Sequence, residues 1–257
     1  MHVIAADWWR HELHLLATGP DGLRDVRWDG AIDWTVSESR HCVGRMTRDG
    51  HVPCPFASEV THDRICGRCA PPWSDCVFEP IDHGHEHCGL CHREHVVYLA
   101  FYGALPKVGM TSAGRVETRL QEQGADAYFI VQRRRDRHAA RRTEQSVALL
   151  HGIPERRRHR EIFRGLDRPI DRDLIDRRAA DWSRRLAERF DVEAVQHLDH
   201  PLAVLPKPPA RVEAPGHHEG KVLGAKGRYL FYQTPRPLGD AVAALPLGDL
   251  VGRRLQC

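Results

Sequence analysis

Seven of the eight cysteines lie between Cys42 and Cys91, and their spacing repeats. Cys54, Cys66 and Cys69 follow C-x11-C-x2-C, and Cys76, Cys88 and Cys91 follow it again 22 residues later. Cys42 precedes the first trio, while His83, His85, His87, His92 and His95 surround the second. A thiolate is a soft anionic ligand, so four of them, or three with an imidazole, build the tetrahedral cage of a structural zinc site. Two partitions satisfy the spacing. One joins Cys42, Cys54, Cys66 and Cys69, and separately Cys76, Cys88 and Cys91 with a histidine. The other joins Cys66, Cys69, Cys88 and Cys91 as a ribbon and leaves Cys42, Cys54 and Cys76 with a histidine. The repeat favours the first, with two Zn²⁺ ions per chain. His95 is the preferred eighth ligand because it abuts a strand, with His85, His87 and His92 as alternatives. An iron–sulfur cluster is the other occupant such thiolates accept. Cys257, the last residue, is read as a bystander.

The composition frames these ligands. At 257 residues, 41% hydrophobic and 28% charged, the chain has the balance of a folded soluble protein with one large or two to three small domains. No run approaches 18 apolar residues, which argues against a membrane partner. The opening MHVIAADWWRHELHLL lacks the basic-then-apolar order of a signal peptide. A cytoplasmic location is therefore expected, where thiols stay reduced and bind metal in preference to forming disulfides. Only four bases are lysine (Lys107, Lys207, Lys221, Lys226), leaving 34 arginines among 38 basic residues. They concentrate between Arg115 and Arg189, with runs at Arg133–Arg135 and Arg156–Arg158. Guanidinium forks match phosphate, so nucleic acid is the expected partner. From 155 to 190 the interleaved Glu161, Asp167, Asp171 and Asp176 equally fit a solvated helical face.

The elements that must position these groups follow from pattern. Residues 1–40 alternate apolar and polar between turns at Gly19-Pro20, Asp21-Gly22 and Asp29-Gly30, the mark of short antiparallel strands. Residues 41–94 have little apolar periodicity and depend on metal for order. HVVYLAFYG (His95–Gly103) is a strand, and KVGMT (Lys107–Thr111) pairs back as a hairpin. Ser112 is the predicted cap of a helix containing Arg115, Leu120 and Gln123 and stopped by Gly124. DAYFIVQ (Asp126–Gln132) is a third strand, and a helix over 136–150 ends at Gly152 and Pro154. Two more helices follow over 155–190, the second with Leu174, Trp182, Leu186 and Phe190 along one stripe. Pro201–Pro215 reads as an extended crossing, and the tail returns to short strands able to pair with the N-terminus. The expected organisation is α+β. It comprises a β-rich segment (1–40), a Cys/His segment (41–94), a β-β-α-β-α module (95–152), a helical extension (153–200) and a linker with a β-rich end (201–257).

The module resembles a GIY-YIG nuclease. Val97-Tyr98-Leu99-Ala100 stands at the first motif and Lys107-Val108-Gly109 at the second. The chain as a whole resembles an uncharacterised prokaryotic family that joins a cysteine-rich front to this module. The shared residues are RHCVG (Arg40–Gly44), PCP (Pro53–Pro55), CGRC (Cys66–Cys69), HVVYLA (His95–Ala100), KVGMT and EQGA (Glu122–Ala125). The likeness covers about residues 1–150. It implies that Tyr98 helps position a water, that Arg115 or Arg119 stabilises phosphoryl charge, and that Glu144 holds Mg²⁺ or Mn²⁺. Lys107 stands where the second tyrosine is expected, and an ammonium binds phosphate more readily than it removes a proton. The implied activity is metal-dependent nucleic-acid processing with structural zinc. The alternatives are a non-catalytic zinc protein binding nucleic acid or a ribonucleoprotein, and an enzyme of this scaffold acting on a small anionic substrate.

Overall fold

The computed structural model describes residues 1–9, 12–47, 49–61, 63–70, 89, 91–235 and 241–257. The fold is mixed α+β and sheet-rich, with five helices among the described residues. It divides into two compact units, one of Met1–Pro71 with Pro201–Cys257, the other of Pro72–His200.

The first unit is built on a nine-stranded sheet. Its strands are β1 (His2–Trp9), β2 (Glu12–Gly19), β3 (Gly22–Asp25), β4 (Ala31–Arg40), β11 (Ala210–Arg211), β12 (Gly216–Lys226), β13 (Tyr229–Gln233), β14 (Val242–Pro246) and β15 (Arg253–Gln256). Their order is β11-β14-β13-β12-β4-β15-β1-β2-β3. The chain ends therefore share one sheet: β15 lies between β4 and β1, and β12 pairs β4 from Val36↔Gly216 to Ala31↔Lys221. β4 alternates as the pleat requires, with Ile32, Trp34 and Val36 buried and Ala31, Asp33 and Thr35 exposed. Those three join Trp8, Leu15, Tyr232, Leu245 and Leu255 in one core. Trp8 also donates its indole N–H to Gly227 O at 2.7 Å, fastening the first strand to the turn between β12 and β13.

Residues between β4 and Ala70 are organised differently. A two-stranded hairpin, β5 (Arg45–Thr47) with β6 (Gly50–Val52), is the only regular structure described there. Among the described residues from 41 to 70 only Cys42, Gly44 and Cys69 are buried.

The second unit carries β7 (His95–Tyr102), β8 (Leu105–Ser112), α1 (Val116–Gln123), β9 (Ala127–Arg134), α2 (Arg137–His151), α3 (His159–Ile162), α4 (Arg172–Leu186) and β10 (Gln196–His197). The sheet order is β10-β9-β7-β8. All eight residues of β7 are buried, as expected of a strand covered on both faces. Val97, Leu99 and Phe101 pack with Ala140 and Val147 of α2 and with Ile175, Ala179 and Leu186 of α4. Val96, Tyr98, Ala100 and Tyr102 pack on the other face with Leu120 of α1. Asp136 caps α2 by accepting from Ala139 N at 2.7 Å, and Gly152 closes it in the left-handed region.

Two predicted details differ. Ser112 makes no side-chain cap, because the sheet uses it: Ser112 pairs with His95, and a 3-10 turn over Ala113–Arg115 intervenes before α1. Arg115 thus precedes the helix. Phe190 lies beyond the end of α4 yet still packs on the core that Leu186 joins. No helix among the described residues is long and apolar enough to cross a membrane.

One buried group makes the first unit sensitive to acid. His218 is buried, donating from Nε2 to Ala214 O (2.8 Å) and accepting the Tyr232 hydroxyl at Nδ1 (3.0 Å). Burial lowers its pKa below the ordinary 6.5. The unfolded chain then binds this proton first as pH falls, so the contribution is present above the ordinary value and lost below it. We expect the melting temperature to fall more for wild type than for His218→Gln between about pH 7 and 5.5. Scanning calorimetry of both proteins checks this, and parallel curves would remove His218 from the account.

Candidate metal centre and active site

In the first unit the structure gathers the four cysteines of the first site in the first partition. The sulfurs of Cys42, Cys54, Cys66 and Cys69 all lie within 4.8 Å of one another, with Cys54 Sγ and Cys66 Sγ 3.9 Å apart. Sulfurs placed tetrahedrally about zinc at 2.3 Å stand about 3.8 Å apart, so the cage fits that ion's size. Backbone amides converge on the sulfurs: Gly44 N and Cys66 N donate to Cys42 Sγ at 3.4 and 3.2 Å. The loop also closes on itself, with Cys42 N on Ser58 O (2.8 Å) and Cys69 N on Cys66 O (2.9 Å). Gly44 has φ +76°, and a Cβ there would meet Val52 O at 2.2 Å, so no other residue fits this knuckle. The thiols titrate apart. Amides of Ser58 and Phe56 bring Cys54 down to about 6, whereas burial pushes Cys69 up to about 12. Thiols this close cannot all ionise without a cation between them. The four cysteines can hold a metal ion.

The other predicted ligands are only partly in view. Cys76 and Cys88, with His83, His85 and His87, lie outside the described residues. Cys91 is buried in the second unit and its carbonyl accepts from Arg137 N, at the start of α2. His95 is buried, and its Nδ1 donates to Arg93 O at 2.8 Å, leaving Nε2 as the nitrogen with a lone pair. His92 is exposed.

The second unit brings most of the predicted catalytic set to one place. Residues paired across β7 and β8 share a face, so Tyr98 opposite Gly109 and Ala100 opposite Lys107 put Tyr98 and Lys107 on the α1 side. The Tyr98 ring lies across Gly109: a Cβ there would sit 2.5 Å from the phenol oxygen. Glycine is thus required to let this ring cross the edge strand. The centre of the cluster is Gln123, the last residue of α1. Its Oε1 accepts from Lys107 Nζ at 2.6 Å, from the Tyr102 hydroxyl at 3.2 Å and from the Tyr98 hydroxyl at 3.4 Å. Lys107 Nζ also stands 5.7 Å from the Tyr98 ring centre. Burial pushes the Tyr98 phenol up to about 12, against the pull of the Arg119 guanidinium. Tyr98 is therefore a hydroxyl donor at neutral pH.

Arg115 and Arg119 are tied together by Glu122, which accepts from Arg115 at 2.8 Å and Arg119 at 3.1 Å. Of the two, Arg119 is the one that reaches Tyr98 electrostatically. Glu144 is a buried carboxyl on α2 whose pKa is raised, first by burial, while Arg141 and Lys107 pull it down. Its Oε2 accepts from Arg141 Nη1 at 2.5 Å, and the same nitrogen reaches Glu155 Oε2 at 2.8 Å. Arg141 thus bridges the two carboxylates. Gln123, Tyr102, Arg141 and Glu155 were not among the predicted site residues. Gln123 falls inside the EQGA stretch, the one signal that marked it.

The first unit thus holds four cysteines that could bind a metal ion, and the second an α+β module whose polar groups meet at Gln123. The chain belongs to a protein family of unknown function, DUF2797, which matches residues 32–238 and so includes the four cysteines and the whole Tyr98 cluster. No match was found among curated proteins or among solved structures.

The Gly109–Tyr98 contact is open to test. Gly109→Ala should destabilise by about 1–3 kcal/mol through overpacking, measured by urea unfolding. In a Tyr98→Leu background the same change should cost clearly less, because the colliding ring is gone. Equal losses in both backgrounds would contradict the contact.

Proposed function

We propose that the chain is a metal-dependent nucleic-acid-processing enzyme of GIY-YIG nuclease type, braced by structural zinc. The observation that carries this reading is the convergence of Tyr98, Lys107 and Tyr102 on Gln123, with Arg119 and Glu144 within electrostatic reach of Tyr98. These residues come from two strands and two helices, and they meet where phosphoryl chemistry needs cations, a hydroxyl and a carboxylate. Lys107 and Arg119 bind the phosphate oxygens, and the paired Arg115–Glu122–Arg119 group holds Arg119 in place. The Tyr98 hydroxyl, fixed by Gln123, orients the attacking water. Glu144, aided by Glu155, holds a divalent ion. Mg²⁺ or Mn²⁺, when bound, supplies a Lewis acid for the charge that develops on the phosphate.

Zinc is the metal assigned to Cys42, Cys54, Cys66 and Cys69, since four thiolates leave no open position for substrate. A second zinc falls to Cys76, Cys88, Cys91 and His95. The Nδ1–H of His95 is held on a carbonyl, as the second nitrogen of a metal-bound histidine usually is.

One observation favours a second reading, a non-catalytic nucleic-acid binder. Arg141 already neutralises Glu144, and Lys107 offers donors only. The assay separates the two. Single- and double-stranded DNA and RNA are incubated with the protein and Mg²⁺ or Mn²⁺. We expect cleavage that falls by about a hundredfold in Glu144→Ala, the scale of losing one transition-state contact. Absence of cleavage with every substrate and both ions, or full activity in Glu144→Ala, sinks the nuclease reading. Binding that weakens steeply with salt, without cleavage, supports the second.

A further inference from the structure

The run PERRRHREIFRG over 154–165 holds five arginines against two glutamates, and neither the metal centre nor the Tyr98 cluster uses those arginines. The fold lays its first residues along the strand that carries Lys107. β8 is an edge strand, and the run occupies its outer backbone groups. Val108 N donates to Pro154 O at 3.1 Å, and Arg157 donates from Nε to Pro106 O at 3.0 Å, with Nη2 on the same oxygen. Pro106 and Val108 are the two neighbours of Lys107. Between these ties Glu155 reaches Arg141 at 2.8 Å, the arginine that also holds Glu144. Residues 154, 155 and 157 are therefore each fixed to elements of the candidate site. Arg156 lies between them, about 3.8 Å along the chain from either neighbour.

The acids of the run are already spent. Glu155 is on Arg141, and Glu161 accepts from Arg157 Nη1 at 3.2 Å and from Arg158 N at 2.8 Å. Arg157 is committed as well, with its side chain 13% exposed. Arg156, Arg158 and Arg160 remain, exposed and in no ion pair among the described residues. A solvated helical face interleaves acids, as α4 does with Asp173, Asp176 and Asp181, and this run does not. Guanidinium forks take phosphate oxygens in pairs. A duplex strand offers one phosphate per about 3.4 Å of its axis, so three neighbouring arginines match a strand better than the lone phosphate of a small substrate.

Resting on the nucleic-acid reading of the Tyr98 cluster, we propose that Arg156, Arg158 and Arg160 form a ledge for the phosphodiester backbone flanking the phosphate held by Lys107 and Arg119. The substrate is then a nucleic-acid strand and not a mononucleotide. Full-length protein with its zinc retained, and without added Mg²⁺ or Mn²⁺, is titrated into labelled DNA and RNA of about 20 nucleotides, single- and double-stranded, between about 50 and 200 mM salt. Anisotropy reads binding, and dinucleotides and polyglutamate serve as competitors. The triple variant R156Q/R158Q/R160Q should lower the slope of log affinity against log salt by about two for single strands and about three for duplexes. Its melting temperature should not change, since none of the three side chains has a partner to lose. Arg177→Gln with Arg178→Gln and Arg189→Gln removes the same charge from exposed positions on and just beyond α4 and should leave the slope near wild type. Preference for DNA or RNA names the source of the backbone. Glu144→Ala should bind as wild type does, so lost cleavage with retained binding separates the ledge from the chemistry. An unchanged slope in the first triple variant, an equal drop in the second, or competition by dinucleotide or polyglutamate as strong as by the full strand overturns the proposal, whether or not the protein cleaves.

Discussion

The close approach of four sulfurs is the tightest constraint on the stretch from 41 to 70. Cys42, Cys54, Cys66 and Cys69 are held within 4.8 Å of one another, and four thiolates coexist at that distance only around a cation. Apolar burial does little to order the described residues from 41 to 70, whose buried residues are two of those cysteines and the glycine between β4 and β5. Met46, Val52 and Phe56 are exposed, so the hydrophobic effect contributes little there. A metal held by the four cysteines would couple its binding to the folding of this loop. The cage is also attached to the sheet: His41 N donates to Gly252 O, joining the residue before Cys42 to the turn before β15. A metal bound by the loop therefore steadies the place where the two chain ends meet.

The second unit rests on a conventional core, and its polar cluster depends on that rigidity. β7 is buried on both faces, so Tyr98 has no freedom to leave, and Gly109 makes room for its ring across the neighbouring strand. Gln123 then collects three donors at a single amide oxygen. A cluster of this kind is worth more as a unit than as separate pairs, since removing the glutamine would take a bond from all three groups at once. Burial raises both the Tyr98 phenol and the Glu144 carboxyl, while Lys107, Arg119 and Arg141 oppose it. Such tension between burial and charge is common where groups are held ready for chemistry.

Strong local signals were legible in the sequence. The C-x11-C-x2-C spacing with Cys42 ahead of it pointed to the four sulfurs that meet, and the HVVYLAFY run pointed to a strand, which the fold then buries on both faces. Glycine-bounded strands at both ends matched a sheet that closes on itself in sequence. Long-range polar geometry was not legible. Gln123 looked like one more helical residue, because only the fold places Lys107, Tyr98 and Tyr102 around it. Arg141 and Glu155 are 14 positions apart and declare their link to Glu144 only in space. Ser112 read as a cap since its own preference favours one, but pairing with His95 overrode that preference.

The central claim is that a metal ion bound by four cysteines organises the front of the chain, and X-ray absorption at the zinc edge of the purified full-length protein tests it most directly. The account predicts bound zinc with a sulfur-dominated shell at about 2.3 Å. Protein that is folded but free of metal, or whose zinc sees only nitrogen and oxygen, would contradict it.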